Sequence, residues 1–177
     1  LFPEFASRKT SVSSLPLNLA GGLEAWLHEF PHGCTEQLTS RAMARTLLSG
    51  EASFGFDRAT AAAEMDAVFT VLRSRQLPDG GFGLWGRTGD GGIEGLTPYV
   101  AHFLTEAKEA GFAVPPDVMR EALKRLKSMA AIQPADRRQE VNLAQAIYVL
   151  TRNGEVTTNY LLNLRDLLQK NQKDQKD

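Results

Sequence analysis

The sequence lacks several features that mark common functional classes. It has one cysteine among 177 residues, which excludes an internal disulfide framework, and no CxxC or Cys/His cluster suggests a zinc site. Lys and Arg number 20 against 21 Asp and Glu, so no excess of positive charge attracts nucleic acid or anionic lipid. No apolar run reaches the length that crosses a membrane. We therefore expect no nucleic-acid partner and no metal.

The remaining composition is that of an ordinary globular domain, with 42% hydrophobic and 23% charged residues. The length suffices for one domain around one core. Residues 1–14 form a polar mixture without a clear period, and we interpret them as a lead-in linker. The chain starts with leucine rather than methionine, which suggests a mature protein or a piece of a longer one.

Apolar residues recur at spacings of three and four along most of residues 15–170, a pattern typical of amphipathic helices. Strand patterns are nearly absent, so the predicted fold class is all-α, and consecutive helices look like hairpins in a repeated array. Residues 171–177 offer no core residue and are predicted to fray. Seven helices are predicted, starting near residues 15, 34, 57, 97, 115, 138 and 157.

One long interruption separates the third and fourth predicted helices. Residues 78–95, PDGGFGLWGRTGDGGIEG, contain eight glycines and one proline, so they cannot form a helix interior. Phe82, Leu84, Trp85 and Ile93 make the segment too apolar for a disordered linker. It lacks the spacing and the lysine of a phosphate-binding loop. We therefore expect an ordered loop that packs between hairpins.

The segment PHGCTEQ at residues 31–37 carries the most specific chemical pattern. Cys34 lies at a predicted helix start and Gln37 follows three residues later, so their side chains can meet on the first turn. Loss of ammonia would join the Cys34 sulfur to the side-chain carbonyl carbon of Gln37 as an intramolecular thioester. Gly33 would give the turn the freedom to bring both groups together. Backbone N–H groups at the helix start would favour the Cys34 thiolate and an oxyanion.

This segment resembles the GCGEQ thioester motif of the alpha-2-macroglobulin and complement proteins. The bacterial branch is most similar, because residues 33–41 here read GCTEQLTSR. SSLPLNLAGGLEAWL at 13–27 resembles the family's lead-in and apolar helix. DGGFGLW at 79–85 and LTPYVAHFL at 96–104 resemble its loop and the helix that follows. The resemblance covers about residues 13–152.

The resemblance implies a partial or complete α/α toroid of helical hairpins over residues 15–170, as a fragment of a larger protein. It implies a single-use covalent endopeptidase inhibitor rather than an enzyme. In the family, cleavage of a bait region exposes the thioester, here Cys34–Gln37, and an amine of the protease attacks it. The implied partners are target proteases and neighbouring domains that shield the thioester. The parent protein is expected to be a periplasmic lipoprotein of the inner membrane, with no cofactor besides the internal cross-link.

Two departures from the family pattern bear on the site. His32 stands where the family usually has tyrosine; we interpret it as an aromatic replacement in the shield, with a base for aminolysis as the alternative. Some complement proteins use a later histidine to redirect the thioester toward hydroxyls. The corresponding residues 132–141, IQPADRRQEV, contain no histidine, and His102 falls in the middle of a predicted helix. The thioester is therefore expected to prefer amines.

Other interpretations of single residues are less specific. Cys34 could be an inert core residue, and Glu36 fits a role in the helix cap and dipole better than acid catalysis. HEFPH at residues 28–32 has the spacing of a zinc motif, but its proline breaks the helix that such a site needs. Trp26 and Trp85 are expected to anchor the core rather than to stack on a ligand.

Two other functions compete with the thioester trap. A toroid enzyme related to terpene cyclases or prenyltransferases would need Asp-rich motifs, and no two aspartates are adjacent in the sequence. The second is a thioester-inactive structural or interaction domain of the same family, in which the motif is vestigial. Retention of both Cys34 and Gln37 argues against this alternative but leaves it open.

Overall fold

The computed structural model describes residues 26, 27, 29, 33–49, 58–87 and 95–174. Within these residues the fold is all-α, as predicted, and one isolated antiparallel bridge joins Gln76 to Phe82. The helices correspond to the second to seventh predicted ones; the first, predicted from residue 15, lies mostly outside the described residues, as does the lead-in linker. The helices are α1 (Thr35–Leu48), α2 (Arg58–Arg75), α3 (Leu96–Glu109), α4 (Pro116–Ala130), α5 (Arg137–Arg152) and α6 (Thr158–Asp174).

The helices are arranged in two layers. Helices α1, α3 and α5 form one row, in which α3 contacts both of the others. Helix α2 packs on α1, α4 packs on α3 and α5, and α6 packs on α5. This alternation of row and outer helix is the order expected for an arc of an α/α toroid. None of the described helices contains a stretch long and apolar enough to cross a membrane.

The core is centred on α3, which is buried around most of its circumference. Phe103 of α3 packs against Phe69 of α2, with ring centroids 6.0 Å apart. The predicted apolar faces of the outer helices are confirmed, since the residues that those helices bury include Met65, Phe69, Leu72, Val118 and Leu126. Burial of these faces from water is the main force that holds the two layers together.

The sequence period predicts that α1 has an apolar side formed by Leu38, Met43, Leu47 and Leu48. Leu48 is buried, and Leu38 and Met43 pack partly buried against the core, but Leu47 is 61% exposed. The hydroxyls of the buried Thr39 and Thr46 donate to carbonyls one turn back, so they remain hydrogen-bonded in the core. The side chains that α1 buries are mostly small: Thr35, Thr39, Ala42, Thr46 and Leu48.

The two tryptophans do not anchor the core, contrary to the prediction. Trp26 and Trp85 are each 56% exposed. Phe82 instead fills the core from the glycine-rich loop, with no exposed surface. The loop turns at Leu84, whose carbonyl is directed to α1, and the next side chain, Trp85, lies outside.

Helix α6 continues to Asp174, past the predicted boundary at residue 170. Asn171 contributes to this extension, because its Nδ2 donates to Glu140 Oε1 of α5 over 2.6 Å. A polar contact therefore holds the end of a helix that has no apolar residue there. Residues 175–177 of the predicted frayed tail lie outside the described part of the chain.

Candidate functional site

Cys34 and Gln37 are brought together at the start of α1. Cys34 is the N-cap residue, with an extended backbone (φ −65°, ψ 162°), and Gln37 is the third residue of the helix. The Cys34 backbone N–H donates to Gln37 Oε1 over 3.4 Å. The Cys34 side chain faces the backbone N–H of Gln37, so the two residues form the reciprocal arrangement of a capping box. The predicted helix start at Cys34 is confirmed.

The two side chains differ in their access to solvent. Cys34 is 5% exposed, whereas Gln37 is partly exposed. A groove with a volume of about 180 Å³ lies beside Gln37. A solute can therefore approach the pair from the Gln37 side, while the sulfur is covered. The groove is lined by Trp26, Leu27, Glu36, Gln37, Ser40 and Arg41.

The glycine-rich loop holds the first turn of α1. The Leu84 carbonyl accepts a hydrogen bond from the Thr35 backbone N–H over 2.8 Å. The Thr35 hydroxyl lies 2.7 Å from the Gly83 carbonyl oxygen and 2.9 Å from that of Leu84, and the side chain is fully buried. The residue after Cys34 is thus fixed by main-chain oxygens of a segment 48 and 49 residues further along. The Thr35 N–H is engaged here, so it is not the free oxyanion donor expected at this helix start.

The loop reaches this position because its glycines allow close packing. A Cβ on Gly83 would lie 1.8 Å from the Gly86 carbonyl oxygen. Gly80 has a positive φ of 88°, and a Cβ there would lie 2.1 Å from the Glu121 carbonyl oxygen of α4. The Phe82 N–H donates to the Thr97 hydroxyl of α3 over 3.1 Å. The predicted ordered loop between hairpins is therefore confirmed for residues 78–87, while residues 88–94, with Ile93, lie outside the described part.

Arg75, the last residue of α2, contacts the other flank of Cys34. Its Nη1 donates to the Gly33 carbonyl over 2.8 Å and to the Thr35 hydroxyl over 3.2 Å. Its own carbonyl accepts from the Gly83 N–H over 3.0 Å. Arg75 and Thr35 were not among the predicted site residues, because no local pattern marks a side chain that acts across 40 residues.

The remaining predicted site residues have simpler surroundings. A Cβ added to Gly33 would meet no heavy atom of the described residues within 4 Å, and residues 30–32 before it lie outside that part of the chain. Glu36 is exposed in the first turn of α1, where it accepts from the Ser40 hydroxyl over 3.2 Å. This position suits the helix dipole. His28 and His32 lie outside the described residues.

His102 lies within α3, as predicted, and belongs to a polar cluster between α3 and α5. Its Nε2 lies 3.1 Å from Glu106 Oε1, and its ring meets the ring of Tyr148 edge-on at 5.4 Å. A hydrogen bond from Arg152 holds the pKa of the Glu106 carboxyl below its ordinary value, against the opposing effect of burial. No group of three or more His, Cys, Asp or Glu side chains in the described part of the chain could hold a metal ion.

Comparison with known proteins identifies relatives over nearly the whole chain. No family model matches the sequence. It is 35% identical over 170 residues to the alpha-2-macroglobulin of Rickettsia conorii, and 34% identical over 174 residues to the alpha-2-macroglobulin homolog of Yersinia pestis. These matches cover 93% and 96% of this chain but only 9% and 8% of the relatives.

Solved structures of similar proteins agree with this relationship. The chain matches Salmonella alpha-2-macroglobulin reacted with methylamine with a TM-score of 0.73 and 26% identity, over 87% of this chain and 11% of that one. It matches trypsin-activated Escherichia coli alpha-2-macroglobulin with a TM-score of 0.63 and 26% identity, over 76% of this chain and 10% of that one. The fold and the sequence therefore point to the same group of proteins.

Proposed function

We propose that this chain carries the thioester of a bacterial protease inhibitor. The chain belongs to the alpha-2-macroglobulin family and spans only a short segment of the relatives that it matches. The observation that supports this proposal is the arrangement of Cys34 and Gln37 in one capping turn, with the sulfur buried and the glutamine accessible. The frame of Thr35, Arg75 and Leu84 around this turn restricts its motion.

Formation of the thioester requires no cofactor. The Cys34 sulfur attacks the side-chain carbonyl carbon of Gln37, a sulfur–carbon bond forms, and the amide nitrogen leaves as ammonia with the thiol proton. The Cys34 N–H, 3.4 Å from Gln37 Oε1, orients this carbonyl and can stabilise the oxyanion of the tetrahedral intermediate. The oxyanion donor in this proposal is therefore the N–H of Cys34 and not that of Thr35, which is bonded to the Leu84 carbonyl.

Capture of a protease follows from the same geometry. After cleavage of a bait region, an amine of the protease enters the groove beside Gln37 and attacks the carbonyl carbon. An amide bond forms, the sulfur–carbon bond breaks, and the amine's proton passes to the released Cys34 thiolate. Each molecule reacts once, so the protein is an inhibitor and not a catalyst. The methylamine-reacted and trypsin-activated relatives support amines as nucleophiles and proteases as targets.

The proposal extends to the surroundings of the domain. Neighbouring domains of the parent protein would cover the groove beside Gln37 until the bait region is cut, and His32 would contribute an aromatic ring to this shield. The expected location is the periplasm, with a lipid anchor in the inner membrane. These points come from the resemblance to the bacterial family.

The proposal is tested by the intact mass of freshly purified protein under denaturing, non-reducing conditions. We expect a mass lower by one ammonia, no reaction with a thiol-alkylating reagent, and addition of methylamine with release of one thiol. Cys34→Ala and Gln37→Glu should lose the ammonia deficit and the addition of methylamine while retaining the helical circular dichroism spectrum. Gln133→Glu, at an exposed position before α5, is the matched control and should behave as the wild type.

Two other outcomes have distinct meanings. A free thiol together with Gln37 converted to glutamate would mean that the thioester formed and was hydrolysed. A free thiol with unchanged Gln37 in the wild type would contradict the proposal and favour the thioester-inactive structural domain.

A further inference from the structure

We infer that Arg75 is a positioning residue for the thioester, which holds the Gly33 peptide so that the Cys34 sulfur stays beside Gln37. This inference rests on the proposed function and deepens it. Arg75 does not touch the reacting atoms; it acts through the backbone that precedes Cys34. The basis is the set of hydrogen bonds that Arg75 makes at the end of α2.

Arg75 contacts both flanks of Cys34 and the loop that supports them. Its Nη1 lies 2.8 Å from the Gly33 carbonyl and 3.2 Å from the Thr35 hydroxyl. Its backbone carbonyl accepts from the Gly83 N–H over 3.0 Å, so the same residue also fixes the loop. The guanidinium is partly buried, which limits competition from water for these bonds.

The two sides of Cys34 are held differently. On the C-terminal side, the Cys34 carbonyl accepts from the Leu38 N–H over 2.9 Å and Thr35 is fixed to Leu84, so the helix itself provides restraint. On the N-terminal side, the Gly33 carbonyl accepts from Arg75 Nη1 over 2.8 Å, and this hydrogen bond restrains the Gly33–Cys34 peptide.

Rotation of this peptide would change the reactive geometry. The extended Cys34 backbone, with ψ 162° and φ −65°, sets the direction of its side chain toward the N–H of Gln37. A change in Cys34 φ follows directly from rotation of the preceding peptide, and it swings the sulfur away from Gln37. An arginine at the end of α2 thus positions the thioester between the N-cap and the third residue of α1.

Arg73 offers a matched control on the same helix. It is exposed, and its Nη2 lies 2.6 Å from Asp117 Oδ1 of α4, in an ion pair away from the motif. Replacement of either arginine removes one positive charge from the last turn of α2. A difference between the two variants therefore reports on the contacts of Arg75 and not on charge or on helix propensity.

The experiment measures the thioester fraction of the full chain by intact mass, and the thermal midpoint, for wild type, Arg75→Met, Arg75→Lys, Arg75→Gln and Arg73→Met. We expect Arg75→Met to lower the ratio of thioester to free thiol about tenfold, the factor that corresponds to one hydrogen bond from a charged donor. Arg75→Lys, which keeps a cationic donor, should recover part of the loss, and Arg75→Gln less. Arg73→Met should match the wild type.

The results separate this inference from the proposed function. A wild type with a free thiol and an unchanged Gln37 would overturn both, and it is seen before any variant is compared. A wild-type thioester with the same fraction in Arg75→Met would overturn the inference alone. The inference alone would also be overturned if the thioester fraction of Arg75→Met and Arg73→Met fell only in proportion to the drop in their thermal midpoints. If Arg75→Met fails to fold, the thioester fractions of wild type, Arg75→Lys and Arg75→Gln are compared instead. A decrease in that order supports the inference, and equal fractions in all three contradict it.

Discussion

The start of α1 and the packing of α4, α5 and α6 are stabilised in different ways. At the start of α1, threonine and arginine side chains and the main chain of a glycine-rich loop make directional hydrogen bonds around Cys34. Helices α4 and α5 pack against each other, and they bury apolar side chains such as Leu126, Ile147 and Leu150. Apolar burial is non-directional and scales with area, so it holds helices together. Hydrogen bonds fix the position of single groups, so they suit a site in which two side chains must meet.

The largest effect on stability is expected from the apolar region. Leu150 of α5 is fully buried, so Leu150→Ala should lower the free energy of unfolding by about 2–5 kcal/mol, since it leaves a cavity. Urea unfolding followed by circular dichroism measures this change. The exposed Leu161→Ala in α6 is the control and should change the free energy by less than about 0.5 kcal/mol. The fraction of thioester in folded Leu150→Ala should equal that of the wild type, and a loss would show that the two regions are not independent.

The second largest effect on stability is expected in the glycine-rich loop, where, unlike in the apolar region, the thioester fraction should also fall. Gly83→Ala places a Cβ 1.8 Å from the Gly86 carbonyl oxygen, so the loop must move. We expect a loss of about 1–3 kcal/mol in the free energy of unfolding, together with a lower thioester fraction, because the loop carbonyls that hold Thr35 move with it. The control is Gly86→Ala, whose Cβ would meet no described heavy atom within 4 Å. Equal thioester fractions in Gly83→Ala and the wild type would contradict the role of the loop.

The smallest effect concerns a polar contact that joins α3 to α5. Arg152 lowers the folded-state pKa of Glu106, so the ionised pair stabilises the fold above the ordinary pKa of a glutamate, and this contribution is lost as the pH falls through the folded-state pKa. Glu106→Gln should lower the free energy of unfolding by about 1 kcal/mol at pH 7, and the difference from wild type should vanish in acid.

The comparison for Glu106→Gln is Glu121→Gln. The ion pairs of Glu121 are to Arg120 and Lys124, whose side chains are 68% and 77% exposed. Its effect at pH 7 should be smaller, since solvent screens exposed pairs. A pH-independent loss in Glu106→Gln, measured by thermal unfolding over the acid range, would show that the carboxylate charge is not the cause.

Local signals predicted most of the helices and the proximity of Cys34 and Gln37. The proline and glycine before Cys34, and the apolar periods along α2, α4 and α5, depend on chain geometry within one or two turns, and such features can be read without tertiary structure. The buried face of α1 could be read only in part. Its apolar period includes the buried Leu48 and the exposed Leu47, and it does not mark the threonines that the structure also buries. Composition likewise could not tell that Phe82 lies inside and Trp85 outside.

The sequence by itself determined the helical architecture and the spacing of Cys34 and Gln37, because hydrophobic periods and an i, i+3 relationship are local properties of the chain. Only the tertiary structure decided that the sulfur is buried and the glutamine accessible, and that Arg75 and Leu84 hold the turn. These contacts join segments more than 40 residues apart. Which loop reaches which helix depends on how the layers pack around α3, and no local pattern encodes that choice.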